Sequence, residues 1–400
     1  MRKLFFVFLV LPLLLFVSCP DKDDSPENEL NTNLEPPIEK SAFDYFIDNN
    51  IRAGINVGNS LDSHRNGVSN ETAWGNPRIN QKLLNEIKGA GFDIVRIPVT
   101  WMGQIGPAPD YKIKDAWMER VAEVAGYAQT AGLKVIINLH HDGSTDSRTS
   151  EAGWLSINKA LANPAQKQEI TAKFTKVWEQ IALRFRDKGA WLFFEAFNEL
   201  HDGGWFWPAR VNQIPKEQYD LINEWAQVFT DTVRAAGGNN VNRYLVIPGY
   251  CTGPEALFTD KFILPTDSVA DRLVVSFHYY RPDDFALDGE KTAWDTSAKR
   301  ADITNNFQKS KQYFIDNHIP VIIGETGPVR NNSADGDAAR LAYINFMYGE
   351  AKKYGLVPVY WDNGAAKRGV DGFGVFNRNN GSPVDAERAA VIQAMINAVK

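Results

Sequence analysis

Trp191-Leu-Phe-Phe-Glu-Ala-Phe-Asn-Glu199 is an apolar run that closes on an Asn-Glu pair. A short run of this kind, apolar at consecutive positions, reads as a strand buried on both faces, which is the habit of parallel sheets. Seven further runs share its character: Ile51–Val57, Phe92–Pro98, Leu133–His140, Arg243–Pro248, Arg272–His278, Ile319–Glu325 and Leu356–Trp361. Helical periodicity fills most of the gaps, with stripes such as Trp117, Val121, Val124 and Ala128 in 115–131 and Phe174, Val177, Trp178 and Ile181 in 169–185. Glycines stand just ahead of several strands, as Gly91-Phe92, Gly132-Leu133 and Gly355-Leu356, where helices end. The gap from Pro248 to Arg272 is the weak point, with only a short helix expected near Glu255–Phe258. Strand then helix, eight times, predicts a (β/α)8 barrel. An open doubly wound sheet is the runner-up, but Gly54 and Gly58 do not form the Gly-rich phosphate turn that usually follows its first strand.

The chain has 400 residues, enough for one large domain, and a net charge of -6. That charge leaves no basic footprint for nucleic acid and disfavours an acidic polymer as substrate. Arg2 and Lys3 precede an apolar run, Leu4–Val17, that is shorter than the ~20 residues a membrane-spanning helix needs and suits a secretory signal. The run ends Phe16-Val17-Ser18-Cys19, which resembles a lipoprotein signal with Cys19 as the lipidated residue. The segment 19–40 is rich in proline and acid and reads as a flexible tether, leaving 41–400 as the single folded barrel domain. The acids just behind Cys19 resemble the surface-export signal of Bacteroidetes lipoproteins. An exported, surface-anchored protein is therefore expected, touching membrane only through its lipid and acting as a monomer. Cys251 is the one other cysteine, so no disulfide forms within the mature domain, and it is expected to be buried and inert.

Chemistry in such a barrel sits at the C-terminal ends of the strands. Those ends carry Asn56 and Asn59, Arg96, His140-His141-Asp142, Asn198-Glu199, His278-Tyr279-Tyr280, Glu325 and Trp361-Asp362-Asn363, and Asn56 is expected to contact substrate along with the residues of the later strands. Glu199 and Glu325, on different strands, suggest the carboxylate pair of glycoside hydrolysis, in which one group protonates the leaving oxygen and the other acts from the opposite face. Arg96 and Tyr280 are placed to keep one carboxylate ionised. Glu195 lies deeper in its strand and reads as a structural partner of a buried cation, with Arg96 as the candidate. The run His140-His141-Asp142 invites a metal reading, but alternation of side chains along a strand keeps three neighbours from facing one ion, so no metal or cofactor is expected. Trp74, Trp205 and Trp207 fall in loops and suit stacking on sugar faces or packing of the rim.

These residues together resemble glycoside hydrolase family 5, and its subfamily 4 endoglucanases and xyloglucanases in particular. The resemblance rests on Gly54-Ile-Asn-Val-Gly-Asn59, Glu71-Thr-Ala-Trp-Gly-Asn-Pro77, Val95-Arg-Ile-Pro-Val-Thr-Trp101, Ile137-Asn-Leu-His-His-Asp142, Phe194-Glu-Ala-Phe-Asn-Glu199, His278-Tyr-Tyr280, Val321-Ile-Ile-Gly-Glu-Thr-Gly327 and Trp361-Asp-Asn-Gly364, in that order. It implies Glu199 as acid/base, Glu325 as nucleophile and Asn198 on the sugar 2-hydroxyl. It further implies Arg96 and Tyr280 around Glu325, His140 and His278 lining the same subsite, and Trp361 beneath the sugar. The substrate it implies is a β-glucan, cut internally with retention. Leu200 stands where the family often has proline, and Thr326 where it often has phenylalanine, which leaves substrate choice open. A β-mannanase or xylanase of the same fold and a non-catalytic glycan-binding barrel are the rivals. Product release from a polysaccharide panel separates them, and activity after chelation separates a metal-dependent hydrolase.

Overall fold

The computed structural model describes residues 34–143, 153–206 and 208–400. Cys19, the signal segment and the tether up to residue 33 lie outside the described residues, as does Trp207. Each of the eight apolar runs contains a strand: β1 Gly54–Val57, β2 Ile94–Ile97, β3 Lys134–Asn138, β4 Leu192–Glu195, β5 Leu245–Pro248, β6 Leu273–Tyr279, β7 Val321–Thr326 and β8 Val357–Asp362. All neighbours are parallel, and β8 pairs with β1 to close the barrel. The expected helices follow, at Gln81–Ala90, Asp115–Thr130, Pro164–Arg184, Lys216–Ala235, Ser297–Tyr313, Gly336–Tyr354 and Ala386–Val399. Between β5 and β6 there are only the short 3-10 turns Tyr250–Thr252 and Pro254–Phe258. Gly91 ends the first of these helices with φ +108°, a conformation costly for any residue with a Cβ.

The registers stack the barrel interior in layers of four side chains from alternate strands. Ile94, Phe193, Val274 and Val357 form the lowest, with Ile136, Val246 and Ile322 above them, all in one apolar cluster. The next layer turns polar: Arg96, Glu195 and Ser276 with Val359. Above it come Asn56, Asn138, Pro248 and Gly324. The lower half is thus an oil-like plug and the upper half a hydrogen-bonded platform. Buried polar groups on this scale persist only when paired, so the platform has to be a network.

One boundary is corrected. Residues 34–40 were expected to belong to the tether, but they are docked against the closed end of the barrel. Glu35 accepts hydrogen bonds from Trp191 Nε1 at 2.6 Å and from the Gly189 amide at 2.9 Å. Ile38 is 1% exposed and joins the lower cluster beside Phe46 of the helix Ala42–Asp48. An acidic, proline-rich composition hides this, because apart from Ile38 and the Glu35 carboxylate the attachment runs through backbone carbonyls, which accept from Asn239, Arg272 and Tyr244. Ile38→Ala is expected to lower unfolding free energy by about 2–4 kcal/mol, the usual cost of an emptied core site. Chemical denaturation measures it, and kcat at 25 °C should not move, since the strap lies at the opposite end from the candidate site.

Candidate active site

The polar platform converges on Arg96, which is fully buried. Its Nε donates to Glu195 Oε2 at 2.7 Å, Nη1 to Glu325 Oε1 at 2.8 Å and to Asn56 Oδ1 at 3.0 Å, and Nη2 to Asn198 Oδ1 at 2.8 Å. Both partners suggested for Arg96 are therefore real: Glu195 balances its charge from within the barrel, and Glu325 from above. Asn56 was expected to bind substrate. It is fully buried and braces the site from beneath, its amide donating to the Gly324 carbonyl at 2.9 Å. Arg96 likewise reaches substrate only through the groups it holds.

Glu325 owes its position to a bulge. Phe277 pairs with Ile323 and His278 with Glu325, so Gly324 is an extra residue in β7. The β7–β8 register jumps at the same place. Without it, strict alternation would put Gly324 and Glu325 on opposite faces of the sheet. Bulges re-aim side chains in this way. Tyr280 donates its hydroxyl to Glu325 Oε2 at 3.1 Å.

Glu199, just past β4, stands opposite. His278 Nδ1 lies 2.6 Å from its Oε1, and one oxygen of Glu199, one ring nitrogen of His278 and one oxygen of Glu325 all fall within 4.8 Å of one another. That spacing matches the ~5–5.5 Å of retaining pairs and is too short for the ~6.5–9.5 Å that leaves room for a water in inverting ones. The side chains differ in access, with Glu199 24% exposed and Glu325 8%. Burial raises both carboxylates above their ordinary range. Against that, Glu325 has the Arg96 ion pair and the Tyr280 hydroxyl, whereas Glu199 feels Arg96 only at longer range. The pair titrates as a unit, and Glu325 gives up its proton first. One group is then ionised while the other stays protonated, the division of labour that glycoside hydrolysis requires.

The histidines are neutral. Burial drives His140 well below its ordinary value and lowers His278 to about 4. The Asn138 side-chain oxygen Oδ1 accepts from the Val99 amide, so its NH2 donates to Glu195 and to His140 Nδ1 at 3.2 Å. His140 therefore carries its proton on Nε2, which faces Glu325 Oε1 at 3.9 Å. Trp361 is stacked parallel to His140 with ring centroids 5.7 Å apart, and a Cβ on Gly58 would come within 2.7 Å of its indole. Gly58 thus makes the seat for that ring.

The His-His-Asp run differs from its expected form. β3 ends at Asn138, and His141–Gly143 is a 3-10 turn, so alternation does not apply there. Asp142 is buried and holds the loop, accepting from the Trp101 amide and from Trp154 Nε1. Burial raises its pKa to about 6. Asp62, His140 and His141 offer ligand atoms within 4.8 Å of one another. Both Asp62 oxygens already accept backbone amides, from Asn59 and Ser60, and His140 Nδ1 accepts from Asn138. That donor set is engaged in shaping the loop.

Trp74 and Trp205 are exposed, at 42% and 46%. Trp74 leans on His141 and His64, which connects it through His140 to Trp361. Trp205 stacks on His201, beside the Asp202–Arg210 ion pair. Leu200 packs into the barrel wall, and Thr326 turns outward toward Met347, bonding the Tyr279 carbonyl. Thr326 therefore does not shape the sugar site. Sequence reading missed Asn138 and Ser276. Each lies two residues before a site histidine in an apolar strand and so on the same face, a signal that was available.

A closed parallel barrel with two opposed carboxylates at its C-terminal end, one of them clamped by a buried arginine, defines a glycoside hydrolase. The model of the cellulase family (glycosyl hydrolase family 5) matches residues 44–367. Endoglucanase A of Paenibacillus barcinonensis is 38% identical over 351 residues, covering 82% of this chain and 84% of that one. A xyloglucan-specific endo-beta-1,4-glucanase of Bacteroides ovatus is 36% identical over 372 residues, covering 87% and 69%. The solved GH5-4 broad specificity endoglucanase from Bacteroides salanitronis superimposes with a TM-score of 0.83 at 40% identity, covering 91% of this chain and 96% of that one. The chain belongs to glycosyl hydrolase family 5, the cellulase family.

Proposed function

We propose that the protein is a retaining endo-β-1,4-glucanase, acting on β-glucans with xyloglucan and mixed-linkage glucan among them, through Glu325 as nucleophile and Glu199 as acid/base. The observation that carries this reading is the approach of the two carboxylates to within 4.8 Å, with Arg96 and Tyr280 on one of them alone. In the first step a Glu325 oxygen attacks the anomeric carbon while Glu199 gives its proton to the leaving oxygen. In the second, Glu199 takes a proton from water, which attacks the same carbon and frees Glu325. Asn198, held by Arg96, is turned toward the same space and is placed for the sugar 2-hydroxyl. The names of the relatives favour glucans over mannan or xylan.

Trp361 is the sugar platform of this reading. Trp361→Ala is expected to cost about 2 kcal/mol of transition-state binding, roughly 30-fold in kcat/KM, in line with the loss of a large apolar contact. Steady-state kinetics on a soluble glucan checks it. Trp74, joined to Trp361 through His141 and His140, extends that surface, and Trp205 offers a second exposed ring against His201. The test of substrate class is a product profile on xyloglucan, mixed-linkage glucan and mannan. Rapid release of oligosaccharides from the first two supports the reading, and preferential cleavage of mannan overturns it. Binding without product from any of them would favour the non-catalytic alternative.

The reading extends to the chain's beginning: signal 1–18, lipid on Cys19, an acidic tether that ends near residue 33, and a monomeric enzyme displayed at the cell surface. The support is the sequence pattern around Cys19. Cys19→Ser should move the protein from the membrane fraction to the soluble one.

A further inference from the structure

Among the described residues, three buried polar atoms beneath the site lack a hydrogen-bond partner: Glu195 Oε1, Ser276 Oγ and His278 Nε2. Each belongs to a residue that is 6% exposed or less. Such orphans are rare because a buried, unpaired polar group is costly. The three are also neighbours. Glu195 and Ser276 share one interior layer, contributed by β4 and β6, and His278 stands directly above Ser276 on the same face of β6. Over Ser276 the next layer offers only Pro248 and Gly324, neither with a polar side chain. The point where a Gly324 side chain would begin is 2.6 Å from Ser276 Oγ and 3.3 Å from His278 Nε2. Glu195 lies close enough to His278 to act on its charge. A small polar space with three convergent groups is the kind of interior site that holds one water, which typically makes about three hydrogen bonds.

We infer that Glu195 Oε1, Ser276 Oγ and His278 Nε2 hold a buried water between them. Through it, Ser276 is a positioning residue that keeps the proton of neutral His278 on Nε2, leaving Nδ1 to accept from the carboxylic acid of Glu199. The donor chain runs one way. His278 Nε2–H donates to the water, and the water donates to Glu195 Oε1, which is held as an acceptor by its other oxygen's bonds to Arg96 and Asn138. The Ser276 hydroxyl can donate or accept and fills the remaining place. Which ring nitrogen carries the proton is set by what the other one meets. With Nδ1 as an acceptor 2.6 Å from Glu199, the protonated form of Glu199 is favoured, which is the form the first chemical step uses. This inference rests on the reading of Glu199 as the acid.

The charged and titratable groups around Glu199 and His278 are Arg96 from β2, His140 and His141 after β3, Glu195 on β4 and His201 after it, Cys251 after β5, Tyr280 after β6, and Glu325 from β7. Ser276→Ala removes none of these charges, so any shift it causes comes through the hydrogen bonds. The test is the pH dependence of kcat/KM for parent and Ser276→Ala on a soluble glucan, whose leaving group needs the proton of Glu199, alongside an atomic-resolution crystal structure of the parent. The expected result is an alkaline limb moved down by about half to one pH unit, the weight of one hydrogen bond, with the acid limb unmoved and ordered solvent bridging the three atoms. A uniform fall in activity with both limbs in place, or a parent structure with no solvent between these atoms, overturns the inference. If Glu199→Gln is inactive while the Ser276→Ala limb stays put, this inference alone is wrong. If Glu199→Gln keeps full activity, the assignment beneath it is wrong.

Discussion

Glu325→Ala should abolish hydrolysis, by at least about 10⁴-fold in kcat, which is more than 5 kcal/mol of barrier at the usual tenfold per 1.36 kcal/mol. The reason is that no other carboxylate can take its place: Glu195 lies a layer lower, fully buried, with Oε2 bound by Arg96 and Asn138. The fold should survive. Arg96 keeps Glu195, Asn56 and Asn198 when Glu325 is lost. The melting temperature at neutral pH should equal or exceed the parent's. The sign follows from burial, which raises the Glu325 carboxyl above its unfolded value. Between the two values the folded state binds more protons, so stability falls as pH rises through that window. Removing the group removes that cost, a trade of stability for activity common at active sites. Calorimetry beside the assay tests both halves. An inactive variant that has also unfolded would deny the separation of scaffold from chemistry, and near-normal activity would deny the nucleophile.

Glu199→Gln should separate the two chemical steps. Loss of general acid catalysis costs about 10²–10⁴-fold, but only where the leaving group needs a proton. Polysaccharide hydrolysis should fall by that much, and cleavage of an activated aryl cellobioside should release its first equivalent of phenol nearly as fast as the parent. The second step then lags, because no base activates water, and a burst appears. Azide, which needs no base, should restore turnover and yield a β-glycosyl azide. The alkaline limb of the pH profile should vanish with the carboxyl group that causes it. Equal losses on activated and unactivated substrates would contradict the assigned role.

The sequence carried the architecture because each strand is a short, dense apolar run, and such runs survive any tertiary context. Its site was also legible, since Asn198-Glu199, His278 and Trp361 fall at or just past the C-terminal ends of their strands. Three features were not. The Gly324 bulge depends on how β6 and β8 pair with β7, which is a non-local property, although a glycine before the glutamate is its trace. The docking of 34–40 turns on Glu35 and Ile38 meeting partners more than a hundred residues away. Asn56 was read as a ligand for substrate because it ends a strand, but strand ends point both ways, and this side chain serves Arg96 and the Gly324 carbonyl. Ser276 shares a face with His278 in the sequence pattern, but its place beside Glu195 comes from how β4 and β6 contribute to one layer, which is again non-local.

The most direct test of the carboxylate assignment is to trap the intermediate. A 2-deoxy-2-fluoro cellobioside with a good leaving group slows the second step more than the first, so a covalent glycosyl-enzyme accumulates, and peptide mass spectrometry then locates the sugar. One label on the peptide carrying Glu325, with time-dependent loss of activity, is the expected result. A label on Glu199 or another residue, or an active enzyme that never becomes labelled, would contradict a retaining mechanism centred on Glu325.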